Sequence, residues 1–232
     1  MKLGQISESI YKRSIKKELQ FHREEVLSGA ELRTNCAIFC SKDSIISTKG
    51  FINSYKNGGA LLGIEMVENY LIAKGAELIG VNISGVFSEK LSEKKMRDEI
   101  SLAHSYAKER NIQILSFDAE VLPGVNESYY VVSGLGVAGD ADAAKKVENG
   151  DDIVITKYVG ISGTSYIADN YREELKKRLP SDYIDAAKNM RELVPIGTEA
   201  ALARKSGAKL LWPLSKGGIY GNLWEMAEST GV

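Results

Sequence analysis

Residues 128–139 read SYYVVSGLGVAG. The run is apolar at odd and even positions alike and rich in aromatic and β-branched side chains, so it reads as a strand with two apolar faces. Such a strand belongs in the middle of a sheet covered on both sides. Working outward, IQILSF (112–117) and ELIGVNISGVF (77–87) read as further strands. Between and before them lie two helical patterns. In NGGALLGIEMVENYLIAKGA (57–76), Ala60, Ile64, Val67 and Leu71 recur at helical spacing, with Gly75 placed to end the helix. In residues 91–110, Met96, Ile100, Ala103 and Ala107 share a face. Two short runs, CAIF (36–39) and SIIST (44–48), flank the polar CSKD and suit a hairpin or neighbouring strands. Residues 5–27 form a charge-rich arm, helical or extended.

The most polar stretch between strands is DADAAKKVENGDD (140–152), which ends in a turn signal. It divides the chain into an arm (1–34), a first unit (35–142) and a second unit (150–232). In the second unit DIVITKYVGI (152–161) and residues 208–212 read as strands. GTSYIADNYREELKKRL (163–179) reads as one helix, with Ile167, Tyr171, Leu175 and Leu179 on its apolar stripe and Pro180 ending it. Glu173–Lys177 and Glu174–Arg178 are favourably ordered pairs on that helix. Further helices are expected at 182–192, at 197–206 and after Gly218. With two strands and several apolar helix faces, this unit reads as short of partners. The class is α+β or α/β (an α/β sandwich), in two units.

Composition narrows the function. The chain has 232 residues, 44% of them hydrophobic, and 30 basic against 31 acidic side chains. A balanced charge argues against a general nucleic-acid binder, whose affinity rests on a basic surface. No apolar run approaches the roughly 20 residues of a membrane helix, and the N-terminus has no secretory h-region. A cytoplasmic protein is expected. Cys36 and Cys40 are the only cysteines. On a strand they would lie about 13 Å apart, too far to bridge. Two thiolates also make only half a zinc site, so they read as small core residues.

Three stretches could carry chemistry. Lys216-Gly217-Gly218, ahead of the closing helix in SKGGIYGNLWEMAE (215–228), has the parts of an anion cradle, although Gly-Gly before a helix is also an ordinary turn. In VGISGTSYIADNY (159–171), Gly160 and Gly163 flank a turn into a helix that Thr164 or Ser165 can cap; it reads equally as a plain connection. In LSFDAEVLPGVN (115–126), Asp118 and Glu120 stand two apart just after a strand, as metal-binding carboxylates or as loop acids. No nucleophile–base pair, H-E-x-x-H or Walker lysine motif is present.

In order, STKG (47–50), VENYLIAKGAELIGV (67–81), AEVLPGVN (119–126), VVSGLGVAG (131–139), GDDIVITKYVGISGTSYIA (150–168) and GGIYGNLWEMAE (217–228) resemble blocks of the aminoimidazole ribonucleotide (AIR) synthase superfamily. This PurM-like superfamily includes the hydrogenase maturation (HypE-like) branch and AIR synthase-related proteins, and the resemblance is nearest to those two. It covers nearly the whole chain. It implies an α/β first domain that dimerises through its sheet, an α+β second domain, and ATP with Mg²⁺ bound in the cleft along a homodimer. The reaction it implies activates an amide or carbamoyl oxygen at the expense of ATP.

The chain departs from that pattern where the metal ligands should stand. The family's acidic strand start falls on Thr34-Asn35-Cys36-Ala37-Ile38, and the Asp of its S-T-D-P on Lys49. Its Asn-Asp pair falls on Asn69-Tyr70, and its G-G-H-T-E on Ser116–Glu120, where Glu120 alone is kept as an implied metal ligand. Its D-x-T-E-G-G falls on Pro213–Gly218. The resemblance therefore implies a cofactor site of Asn35, Lys49, Asn69, Asp118, Glu120, Gly163, Thr164, Lys216, Gly217 and Gly218, with no catalytic residue assigned. ATP and Mg²⁺ would be held there weakly or not at all, because a lysine in a ligand's place repels Mg²⁺. Family members run longer, so the second domain reads as incomplete. The expected function is a degenerate, dimeric binding or scaffold protein with a nucleotide or phosphate-bearing ligand; the alternative is an active ATP- and Mg²⁺-dependent enzyme.

Overall fold

The computed structural model describes residues 4–5, 8–28, 38–39, 44–138 and 146–232. Its strands are β1 (Gly4–Gln5), β2 (Val26–Ser28), β3 (Ile38–Phe39), β4 (Ser44–Ser47), β5 (Phe51–Asn53), β6 (Glu77–Phe87), β7 (Gln113–Val121) and β8 (Tyr129–Ala138). Its helices are α1 (Glu8–Tyr11), α2 (Gly59–Ala73), α3 (Glu93–Glu109), α4 (Ile161–Asn170), α5 (Arg172–Leu175), α6 (Ser181–Asn189), α7 (Gly197–Lys205) and α8 (Gly218–Thr230).

One mixed sheet runs β1-β7-β6-β8-β4, with β5 also pairing β8. β6 and β7 are parallel and joined through α3; the other pairings are antiparallel. β8 is central, as its sequence demands, and alternate residues of it are buried. Tyr130, Val132, Gly134 and Gly136 face α2, which lies so close that a Cβ on Gly63 would fall 2.3 Å from a Val132 methyl. Ile64, Val67, Leu71, Met96, Ile100 and Ala103 are buried on the facing helices, as their spacing predicts. Burying each of the larger ones contributes about 1.5–3 kcal/mol. The second apolar face of β8 is used more thinly: Leu135 and Val137 pack against Val26, Ile79 and Leu115, while Ile52 and Tyr129 stay 50% and 44% exposed.

The arm is docked. Ile15 is fully buried, Arg13 and Ser14 bind Glu93, and the Arg23 guanidinium meets Glu25, Glu77 and the Asn111 carbonyl.

Four expectations are corrected. Among the described residues, Ile38–Phe39 and Ser44–Ser47 do not pair with each other: β3 pairs β2, and β4 pairs β8. Asp118 and Glu120 lie inside β7, because that strand continues to Val121 against β6. Residues 152–161 and 208–212 are not strands: a strand is made by its ladder, and among the described residues none offers them one. Lys209, in the second stretch, instead binds Asp151 at 2.7 Å and Glu148 at 3.4 Å, just ahead of the first. The helix expected over 163–179 breaks at Tyr171 into α4 and α5, and its apolar stripe faces outward, with Ile167 and Tyr171 about half exposed. α4 packs instead through its small residues, Ser165 and Ala168, and the Ser165 hydroxyl donates to the Lys188 carbonyl of α6. Glu173 accordingly pairs Lys176 rather than Lys177.

Candidate functional site

The sheet divides the residues singled out in the sequence. Register places Asp118 beside Ser84, Val131 and Ile52, and Glu120 beside Val86 and Tyr129. Both acids therefore stand on the sheet face opposite α2, Asp118 exposed and Glu120 half-buried. Asn69 lies on the other side, buried in α2. Its amide donates to the Val194 carbonyl at 2.8 Å and its oxygen accepts from the Ile196 amide at 3.0 Å. Lys216 is also on that side, its ammonium 5.3 Å from the Phe51 ring centre, and the exposed Lys49 is two positions before Phe51. Asn35 lies outside the described residues.

The two glycine turns are helix starts. Gly217 (φ 93°) precedes α8, and the turn is fastened by Asn222, whose side-chain amide donates to the carbonyls of Lys216 (3.1 Å) and Gly218 (2.6 Å). α4 begins one turn earlier than the sequence suggested. Gly160, in the left-handed region, caps it; Gly163 and Thr164 are exposed within its first turn, and neither Thr164 nor Ser165 is the cap.

Where α4 and α6 meet α2 there is a cleft of about 210 Å³, lined by Tyr55, Asn57, Glu65, Asp169, Lys188 and Arg191 among others. Glu65 is buried mid-helix and held by Arg191 at 3.1 Å. Burial pushes its carboxyl pKa up, and the guanidinium only partly opposes this. Arg191 also donates to the Asn57 carbonyl, its guanidinium carbon lies 5.4 Å from the Tyr55 ring centre, and its Nε is buried without a partner. Asp169 receives Lys188 (2.8 Å) and the Asn57 amide (2.5 Å). Arg204 donates to the Ile72 carbonyl at the far end of α2. The cleft's charges are thus largely spent in joining its two walls.

Sequence reasoning missed Glu65, Arg191 and Asn222. A signal existed for the first: Glu65 and Asn69 stand four apart on a helix otherwise buried with apolar side chains. Arg191, 126 positions from Glu65, had none.

Mg²⁺ takes several hard oxygen ligands in octahedral array. Among the described residues no group of three or more His, Cys, Asp or Glu side chains gathers as a metal site. The described residues thus supply no clustered ligand set for that cation. No helix among the described residues is long and apolar enough to cross a membrane.

No protein-family model matches the chain. A protein of Methanocaldococcus jannaschii named as a hydrogenase expression/formation protein is 20% identical over 173 residues, which is 74% of this chain and 49% of that protein. The chain thus spans about half the length of the curated relative it matches. Thiamine-monophosphate kinase from Stenotrophomonas maltophilia superposes with a TM-score of 0.60 at 15% identity, over 87% of this chain and 66% of that one. The hydrogenase maturation protein HypE of E. coli gives 0.57 at 14%, over 72% and 55%. HypE solved in complex with ATP gives 0.57 at 13%, over 71% and 50%. The architecture is the fold that these HypE and thiamine-monophosphate kinase structures share, the PurM-like fold that the sequence blocks implied. HypE and thiamine-monophosphate kinase are among the structures the chain is similar to.

Proposed function

We propose that this chain is a catalytically degenerate PurM-like protein that acts as a homodimeric binding or scaffold protein in hydrogenase or cofactor maturation. One observation carries the reading: Asp118 and Glu120 stand across the sheet from Asn69, and the Asn69 side chain is already engaged with backbone. Two lysines, Lys49 and Lys216, stand where the family pattern has acids, which further disfavours a bound divalent cation. The hydrogenase connection is supported by the name of the Methanocaldococcus relative.

The dimer is supported by the outer sheet face, where Ile45 and Ile52 are 53% and 50% exposed beside the half-buried Val131 and Val137. Strands packed face to face would cover it. Sedimentation velocity tests this: the wild-type chain should run as a dimer and Ile52→Glu as a monomer. Unchanged sedimentation of the variant, or a monomeric wild type, would remove the dimer from the reading. The catalytic part is tested by offering ATP and Mg²⁺. Neither Mg²⁺-dependent binding nor phosphate release is expected, and turnover would restore the reading as an ATP-dependent enzyme, which the ATP complex of HypE keeps open.

A further inference from the structure

At the carboxyl end of β6 the chain turns through residues 88–91 into α3, and residues 122–128 return it from β7 into β8. A hollow of about 270 Å³ lies between these turns and the start of α2. Three lysines line it, Lys56, Lys90 and Lys95, together with Ser92, Asn126 and Leu91. Lys56 pairs with Glu127 only at 3.8 Å. Lys90 and Lys95 are exposed, and neither has an ion-pair partner among the described residues. The other acid of the hollow, Glu99, is buried and committed: its oxygens accept the Gly58 amide (2.7 Å) and the Gly59 amide (3.1 Å) at the start of α2. The net charge offered to a ligand is therefore positive.

Position agrees with charge. In sheets with parallel strands joined by a helix, ligands settle outside the carboxyl ends of those strands. β6 and β7 are this sheet's parallel pair, and the hollow lies beyond β6, where Ser92 caps α3 by accepting the Lys95 amide. The hollow sits at the opposite end of α2 from Asn69, roughly 15 Å away along the helix.

We propose that this hollow binds a small phosphorylated molecule, with Lys90 and Lys95 holding the phosphoryl dianion and Leu91 flanking the organic body. Two ammonium groups without a close ion pair match a phosphate monoester's double charge, although Lys95 also feels the buried Glu99, and charge-assisted hydrogen bonds of this kind are the strong ones. Lys56 joins them once the ligand outbids its long contact with Glu127.

The test is a ¹H–¹⁵N amide-shift titration with inorganic phosphate and with pyrophosphate, using chloride at matched ionic strength as control. Saturable shifts should be confined to the amides of residues 88–95 and 126–128. Removing both free lysines (Lys90→Ala with Lys95→Ala) should weaken binding about tenfold or more. Removing two exposed lysines elsewhere (Lys177→Ala with Lys205→Ala) should leave it intact. Both pairs are on the surface, and superposable spectra away from the substitutions will show that the folds persist. Shifts that chloride reproduces, that scatter over the surface, or that survive loss of Lys90 and Lys95 would overturn the site.

Discussion

Replacing Arg191 by alanine should destabilise the fold by about 3–5 kcal/mol, the cost of leaving a buried charge without its partner. Glu65 is 5% exposed in the middle of α2, and Arg191 is the one cation bonded to it among the described residues. The same guanidinium holds the Asn57 carbonyl and lies near the Tyr55 ring, so the substitution also loosens the cleft wall. The loss should depend on pH in a defined direction. Burial raises the Glu65 pKa above its unfolded value, so the folded state binds that proton more tightly than the unfolded state does. Stability from this group is complete below the ordinary carboxylate range and declines as pH rises through the raised value. Without Arg191 the value rises further. The variant's deficit should therefore be largest near neutrality and shrink on acidification towards pH 5. Urea unfolding of wild type, Arg191→Ala and Arg191→Ala/Glu65→Gln at two pH values measures it. The double variant should recover much of the loss, because no buried charge remains. A deficit that ignores both pH and Glu65→Gln would show that Arg191 acts only through packing.

Asn69→Leu should cost about 2–4 kcal/mol, although it preserves the side chain's size. It leaves the Val194 carbonyl and the Ile196 amide without the partner that now satisfies them. Asn69→Asp should fall between: it still accepts from Ile196 but turns a carboxylate oxygen towards the Val194 carbonyl. Denaturant midpoints with unchanged m-values would place the effect in the native state. A leucine variant as stable as wild type would mean that Asn69 is not what joins α2 to the second unit.

The elements built on local pattern were legible. α2 and α3 were visible because four apolar residues in each recur at helical spacing, and β8 was visible because both its faces are apolar. The start of α8 followed from Gly217, which is in the left-handed region that glycine tolerates. What failed depended on distant partners. DIVITKYVGI has every local mark of a strand, yet nothing in its own residues says which backbone would pair with it. The stripe Ile167–Tyr171–Leu175–Leu179 predicts a buried face only if the helix runs unbroken, and it breaks at Tyr171. The family pattern assigned Asn69 to a cofactor site but could not say that its amide was already engaged with backbone. Nor could spacing show that Asp118 and Glu120 lie across the sheet from it, since that depends on strand register.

In a degenerate PurM-like protein, Asn69, Asp118, Glu120 and Lys216 do not form one Mg²⁺-ATP site. Calorimetric titration of the purified chain with ATP, in Mg²⁺ and again in EDTA, reads this out. No Mg²⁺-dependent binding heat is expected. Micromolar binding that requires Mg²⁺, accompanied by phosphate release, would contradict it.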